Sequence, residues 1–247
     1  MLIDRLLGLP AQASAHASEL DWITFLVHVL MFALFFGWGS YFIWALIRFR
    51  SGRNPRAQYE PVKTRISTYH EAALVVIKLI LLAGFSIPAW ATRVRDLPPE
   101  EQATVIRVVS EQFAWNIHYA GADGEFGRTD VSLVRPENAV GLDRRAHHAA
   151  DDVVTMGEMV VPVGRPVIVQ LTAKDVIHSF GVPAMRVKQD AIPGMMIPLW
   201  FTPTRTGEYE IVCSQLCGLG HYRMRGLLRV VSDAEYRQWL EEQARMQ

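Results

Sequence analysis

Cysteine, net charge and, over one long stretch, ionisable side chains are what this chain has least of. Only Cys213 and Cys217 occur in 247 residues, and neither belongs to a Cys-x-x-Cys-His run, so the chain carries no covalent c-type haem of its own. Lys and Arg number 25 against 25 Asp and Glu, a balance that gives no nucleic-acid signal. The opening Leu-Ile-Asp-Arg segment lacks an apolar core and residues 11–21 are polar, so no cleavable signal peptide is expected. From Trp22 to Ile47 the sole Asp, Glu, Lys, Arg or His is His28. That run exceeds the ~20 residues needed to cross a bilayer and leaves no polar face for a helix in a soluble core.

A second apolar run, Ala72 to Ala91, is interrupted by Lys78, and Trp22, Trp44 and Trp90 fall where interfacial aromatic belts belong. Residues 22–91 therefore read as a transmembrane helical hairpin. Its connecting loop, residues 48–65, carries Arg48, Arg50, Arg53, Arg56, Lys63 and Arg65, whereas Arg5 is the only Lys or Arg before Trp22, beside Asp4, Glu19 and Asp21. Positive charge marks the cytoplasmic side. The segment 1–21 and everything after Ala91 then face the periplasm or cell exterior, with the hairpin in a bacterial inner (plasma) membrane. Glu71 and Lys78, seven residues apart, share one helical face, and ionisable groups within a span are costly and often functional.

The two cysteines lie in Cys213-Ser-Gln-Leu-Cys217-Gly-Leu-Gly-His221-Tyr-Arg-Met224, with His178 upstream. Thiolate, imidazole and thioether donors together suit a soft metal that changes oxidation state, which argues for copper. A mononuclear blue-copper site uses one Cys, two His and a weak axial Met. The surplus thiolate lets both sulfurs bridge two copper ions, with His221 capping one and His178 the other, and with Met224 and a backbone carbonyl as axial groups. Other uses compete: a Cys213–Cys217 disulfide, which leaves the His and Met spacing unexplained; a Cys2His2 zinc site with a redundant Met; or a pair of unliganded buried thiols.

From Thr104 the pattern becomes short β-rich runs: 104–109, 113–119, 153–159, 166–171, 195–201, 207–212 and 227–231, separated by turn residues. Seven strands within residues 96–231 fit an antiparallel sandwich or barrel of Greek-key, cupredoxin-like type. Residues 122–152 form a polar excursion, and His147-His148 within it reads as solvated loop. Residues 232–247 read as a docking helix, opened by a Ser232/Glu235 capping box, with Tyr236, Trp239 and Leu240 on one side.

Asp175-Val-Ile-His178-Ser-Phe, Lys188-Gln-Asp190-Ala-Ile-Pro-Gly194 and Cys-x3-Cys-x3-His-x2-Met together resemble subunit II of the haem–copper cytochrome c oxidases. The resemblance covers nearly the whole chain and implies a cupredoxin domain with the dinuclear copper centre called CuA, in which the residue mapping to Gln215 ligates through its carbonyl. It implies electrons arriving from cytochrome c and leaving for haem in subunit I, where dioxygen is reduced to water and protons are pumped. Electron entry maps to Phe113 and Trp115, the interface with subunit I to Asp190, and the mouth of a proton path to Glu71.

On the side facing subunit I this chain departs from that pattern at two places. The family's Glu at the position of Gln215 reaches a magnesium ion shared with subunit I, and a neutral amide is a weak ligand for a hard dication. An Arg reaching the haem propionates is replaced by Met195, which removes its bidentate grip. The alternatives are a CuA subunit of another haem–copper enzyme, such as a nitric oxide reductase, and a membrane-tethered copper carrier. Residues 96–247 contain 20 Asp and Glu against 15 Lys and Arg, a surface that would steer a basic donor.

Overall fold

The computed structural model describes residues 8–56, 59–60 and 64–246, so Asp4, Arg5 and Lys63 of the charge argument lie outside the described residues. The chain divides into two compact units, one of residues 19–92 and one combining residues 1–18 with 93–247.

The first unit holds helix α1, Ala17–Arg48, then α2, Arg65–Leu81, which runs through a π-helical turn, Leu82–Ser86, into α3, Ile87–Arg95. Both continuous helices, Ala17–Arg48 and Arg65–Arg95, are long and apolar enough to cross a membrane. Thr64 caps α2 by accepting a hydrogen bond from the Ile66 N–H at 3.1 Å. The π turn has a covalent cause. Pro88 lacks an N–H and its ring collides with the carbonyl of the residue four before it, so a helix containing it must widen or kink just upstream. The Ser86 hydroxyl donates to the Leu81 carbonyl at 3.3 Å within that turn.

Among the described residues the second unit is a β-sandwich of ten strands: β1 Thr104–Glu111, β2 Ala114–Tyr119, β3 Val153–Met156, β4 Glu158–Pro162, β5 Val167–Ala173, β6 His178–Val182, β7 Val187–Ala191, β8 Ile197–Phe201, β9 Gly207–Cys213 and β10 Arg225–Val231. One sheet has the order β3-β2-β1-β5-β8 and the other β4-β10-β9-β6-β7. Strict alternation along β1 points Thr104, Ile106, Val108 and Ser110 inward. The core between the sheets includes the fully buried Ile106, Trp115, Leu171, Phe180, Phe201 and Leu228, and each large side chain removed from water contributes roughly 1.5–3 kcal/mol.

Three features differ from the sequence expectation. Residues 153–159 are two strands in different sheets, divided at Gly157, whose φ of 74° suits glycine. Strands β6 and β7 were not among the predicted runs, because His, Ser, Gly, Lys, Gln and Asp dilute their apolar signal. Pairing is mixed, since β1 runs parallel to β5 and β10 parallel to β4, where wholly antiparallel sheets were expected.

The N-terminal residues are part of this unit. Ala15 N–H donates to the Thr202 carbonyl at 3.0 Å, Thr204 N–H to the Ala13 carbonyl at 2.8 Å, and the Ser14 hydroxyl to the Met185 carbonyl at 2.7 Å. The excursion between β2 and β3 has a small core of its own, Val140, Leu142 and Ala149. It is pinned by Asp152, whose Oδ2 lies 2.6 Å from His118 Nε2 and accepts from the Gly127 N–H at 2.9 Å. Helix α4, Asp233–Met246, starts with the expected reciprocal cap: Ser232 N–H donates to Glu235 Oε2 at 2.8 Å and Glu235 N–H to the Ser232 hydroxyl at 3.3 Å. It docks on its own sandwich, with Trp239 edge-on to Tyr119 at 5.1 Å.

Candidate metal centre

One end of the second sheet brings the scattered donors together. Antiparallel pairing sets Phe180 of β6 opposite Cys213 of β9, so His178, at the start of β6, meets the loop that follows β9. That loop closes on itself. Cys213 N–H donates to the Met224 carbonyl at 3.2 Å, Ser214 N–H to the Ser179 carbonyl at 2.9 Å, and Met224 N–H to the His221 carbonyl at 3.1 Å. Gly181 admits the approach, since a Cβ there would stand 2.8 Å from Ser214 Oγ.

The resulting donor cluster is tight. Ligand atoms of His178, Cys213 and Cys217 all lie within 4.8 Å of one another. The two sulfurs are 3.8 Å apart, Cys217 Sγ is 3.6 Å from His221 Nδ1 and 3.7 Å from Met224 Sδ, and His178 Nδ1 is 3.2 Å from Met224 Sδ and 4.0 Å from Cys213 Sγ. The Gln215 carbonyl oxygen is 3.2 Å from Cys213 Sγ. Tetrahedral donors bonded to one metal at ~2.0–2.3 Å are separated by ~3.3–3.8 Å, so these spacings suit ligation. His178 Nδ1 thus lies near Met224 and Cys213, and His221 Nδ1 near Cys217, a donor set of soft thiolate, thioether and imidazole groups that suits a soft metal.

Burial and hydrogen bonding prepare the site. His178, Cys217 and Met224 are buried, Cys213 and His221 partly so, and Gln215 is exposed. Burial first, then the adjacent Cys213, push the Cys217 thiol up to about 11. Metal uptake must therefore displace a proton there. Asp175 was quoted in the sequence pattern without a role. Its Oδ1 lies 2.9 Å from His178 Nε2 and accepts from the Val176 N–H at 2.7 Å, while Oδ2 accepts from the Gln112 N–H at 2.8 Å. Burial raises its pKa, but the bonds from His178, Gln112 and Val176 outweigh that and hold the carboxyl below its ordinary value. A carboxylate on the far nitrogen of a ligating imidazole fixes tautomer and ring direction.

The other predicted residues are more dispersed. Trp115 is fully buried, its ring 6.3 Å from that of His178. Phe113 is partly exposed and lies against the loop, and Arg223 stands 5.8 Å from its ring centre. Asp190 of β7 pairs in register with Ser179, one residue from His178, and Met195 is half exposed. Glu71 belongs to the helical unit, where it lines a groove with Gly37, Trp38, Tyr41, Ser67 and His70. His148 Nδ1 lies 2.8 Å from Asp123 on the exposed excursion, as solvated loop should.

Residues 104–231 match the family described as cytochrome c oxidase subunit II, periplasmic domain. The alternative cytochrome c oxidase subunit 2 of Bradyrhizobium diazoefficiens is 35% identical over 201 residues, 81% of this chain and 71% of that protein. Cytochrome c oxidase subunit 2 of Cereibacter sphaeroides is 31% identical over 251 residues, 95% of this chain and 79% of that protein. The crystal structure of the periplasmic domain of subunit II of cytochrome oxidase from Bradyrhizobium japonicum is 34% identical, with a TM-score of 0.43, covering 58% of this chain and 94% of that one. With the family match spanning more than half of its length and relatives of this identity covering most of it, the chain belongs to the cytochrome c oxidase subunit II family.

Proposed function

We propose that this chain is the electron-receiving subunit of a respiratory cytochrome c oxidase, with a CuA pair held by His178, Cys213, the Gln215 carbonyl, Cys217, His221 and Met224. The observation that carries the proposal is the convergence of two thiols, two imidazoles, a thioether and a carbonyl at one sheet end, with donor spacings of 3.2–4.0 Å. When bound, a copper pair held by these residues would supply one-electron transfer.

The protein's part is to keep the donors still. Backbone bonds across the loop, Asp175 behind His178 and the burial of Met224 hold them in one geometry and limit water. Electrons enter past Phe113, at the loop surface, and Trp115, beside His178, from cytochrome c drawn by the acidic excess of residues 96–247. They leave for haem in subunit I, which docks near Asp190 and reduces oxygen with proton pumping. Glu71 marks the cytoplasmic mouth of a proton path, the two apolar helices anchor the subunit in a bacterial plasma membrane, and the sandwich lies on the outer side. Gln215 offers hard dications only a weak amide donor, so the magnesium that the family shares with subunit I has a poorer site here, while the copper pair keeps its carbonyl.

Electron paramagnetic resonance of the copper-loaded chain tests this. The expected result is hyperfine structure from one electron shared over two copper nuclei, with two coppers per chain. A single-copper pattern, or no bound copper, overturns the assignment.

A further inference from the structure

Gln112 stands in the turn between β1 and β2, outside the ligand set, yet it touches both halves of the site. Its backbone N–H donates to Asp175 Oδ2 at 2.8 Å, and the other oxygen of that carboxylate holds His178 Nε2 at 2.9 Å. Its side-chain Nε2 donates to the Cys217 carbonyl at 2.5 Å. One residue thus reaches, through Asp175, the histidine that opens β6 and, directly, the cysteine that follows β9, which are 39 positions apart in sequence.

The copper loop is shaped to receive this contact. A Cβ on Gly218 would stand 2.6 Å from Gln112 Nε2, and one on Gly220 would stand 2.4 Å from Phe113 Cδ2. Gly220 does not have a positive φ, so the bare backbone there answers to space and not to conformation. Residues 112 and 113 occupy the room that the two glycines leave, between the ligands Cys217 and His221. The chemistry also selects the residue type. An amide N–H is a donor at every pH, whereas a carboxylate of the same length would set one acceptor against another at the Cys217 carbonyl.

We propose that Gln112 is a positioning residue for the metal pair: backed by Phe113, it locks the Asp175-held His178 to Cys217 and so fixes the donors of two separate elements before metal arrives. This rests on the copper reading above and deepens it. Residues that orient ligands without touching metal typically change affinity by about 10–100-fold when altered.

The test uses the full chain in detergent, loaded with copper, as parent, Gln112→Met and Gln112→Glu. Copper release to a chelator, the visible spectrum and the hyperfine pattern are measured, with far-ultraviolet circular dichroism to check folding. Both variants are expected to stay folded, to release copper at least about tenfold faster, and to shift the hyperfine splitting, Glu more than Met. Parental release rates and spectra in both would overturn the proposal. If either variant fails to fold, Gly220→Ala presses on Phe113 from the loop side and is expected to shift the copper spectrum, and an unaltered spectrum there also refutes the clamp. A parent chain without any paired-copper spectrum removes the copper reading itself, a failure distinct from unaffected variants of a parent that has one.

Discussion

His178 Nε2 lies 2.9 Å from Asp175 Oδ1, and that contact turns the opposite nitrogen, Nδ1, toward Met224 and Cys213. Asp175→Ala leaves the imidazole able to rotate and to choose the other tautomer. Copper affinity should fall by about 10–100-fold, with a smaller loss for Asp175→Asn, which keeps one oxygen in reach. Competition with a chelator of known affinity measures both, and an unchanged affinity in the Ala variant would refute the orienting role.

Cys217→Ser removes one of the two sulfurs, 3.8 Å apart, that would bridge the metals. Copper content should fall to one per chain or none, with the shared-electron spectrum gone. Retention of two coppers would disprove the ligand assignment. Gln215→Glu keeps the carbonyl and changes only an exposed side chain, so the copper spectrum should persist while the new carboxylate offers a hard oxygen donor. Manganese resonance before and after the change reads that gain.

Burial first, then the charge of Arg93, lowers His16 to about 4 from 6.5, with a backbone bond at Arg186 opposing. The folded chain therefore refuses a proton that the unfolded chain accepts. Stability from this group is complete above about 6.5 and is lost as pH falls toward about 4. At ~1.4 kcal/mol per unit the loss is at most about 3 kcal/mol, and solvent screening reduces it. His16→Gln should flatten the acid limb of thermal midpoint against pH relative to the parent. Superimposable curves would exclude His16 as the source.

Ser232→Ala removes one arm of the reciprocal cap on α4 and should cost about 1 kcal/mol. A lower thermal midpoint with an unchanged copper spectrum is the expected pair of readings, because the helix packs beside Tyr119 and not on the metal loop.

The copper loop was legible because every donor but His178 falls within twelve consecutive residues, and the two spans because apolar length is local information. The strands that position His178 were not. All of β6, His178–Val182, is buried, yet its His, Ser and Gly have no strand signature of their own, and its place is set by β7 and β9. Gln112 and Asp175 escaped for the same reason. Their roles depend on contacts with residues 105 positions away, at Cys217, and 63 positions away, at Gln112, which no spacing rule contains.

The π turn at Leu82–Ser86 adds a residue to the helical count. Everything beyond it is rotated by about a quarter turn relative to a regular helix, so the stripe that begins at Glu71 and Lys78 does not continue in phase to Trp90. The parts of this helix before and after the turn therefore present different faces to whatever packs against them. Pro88→Ala, by letting the turn revert, would bring those faces back into line.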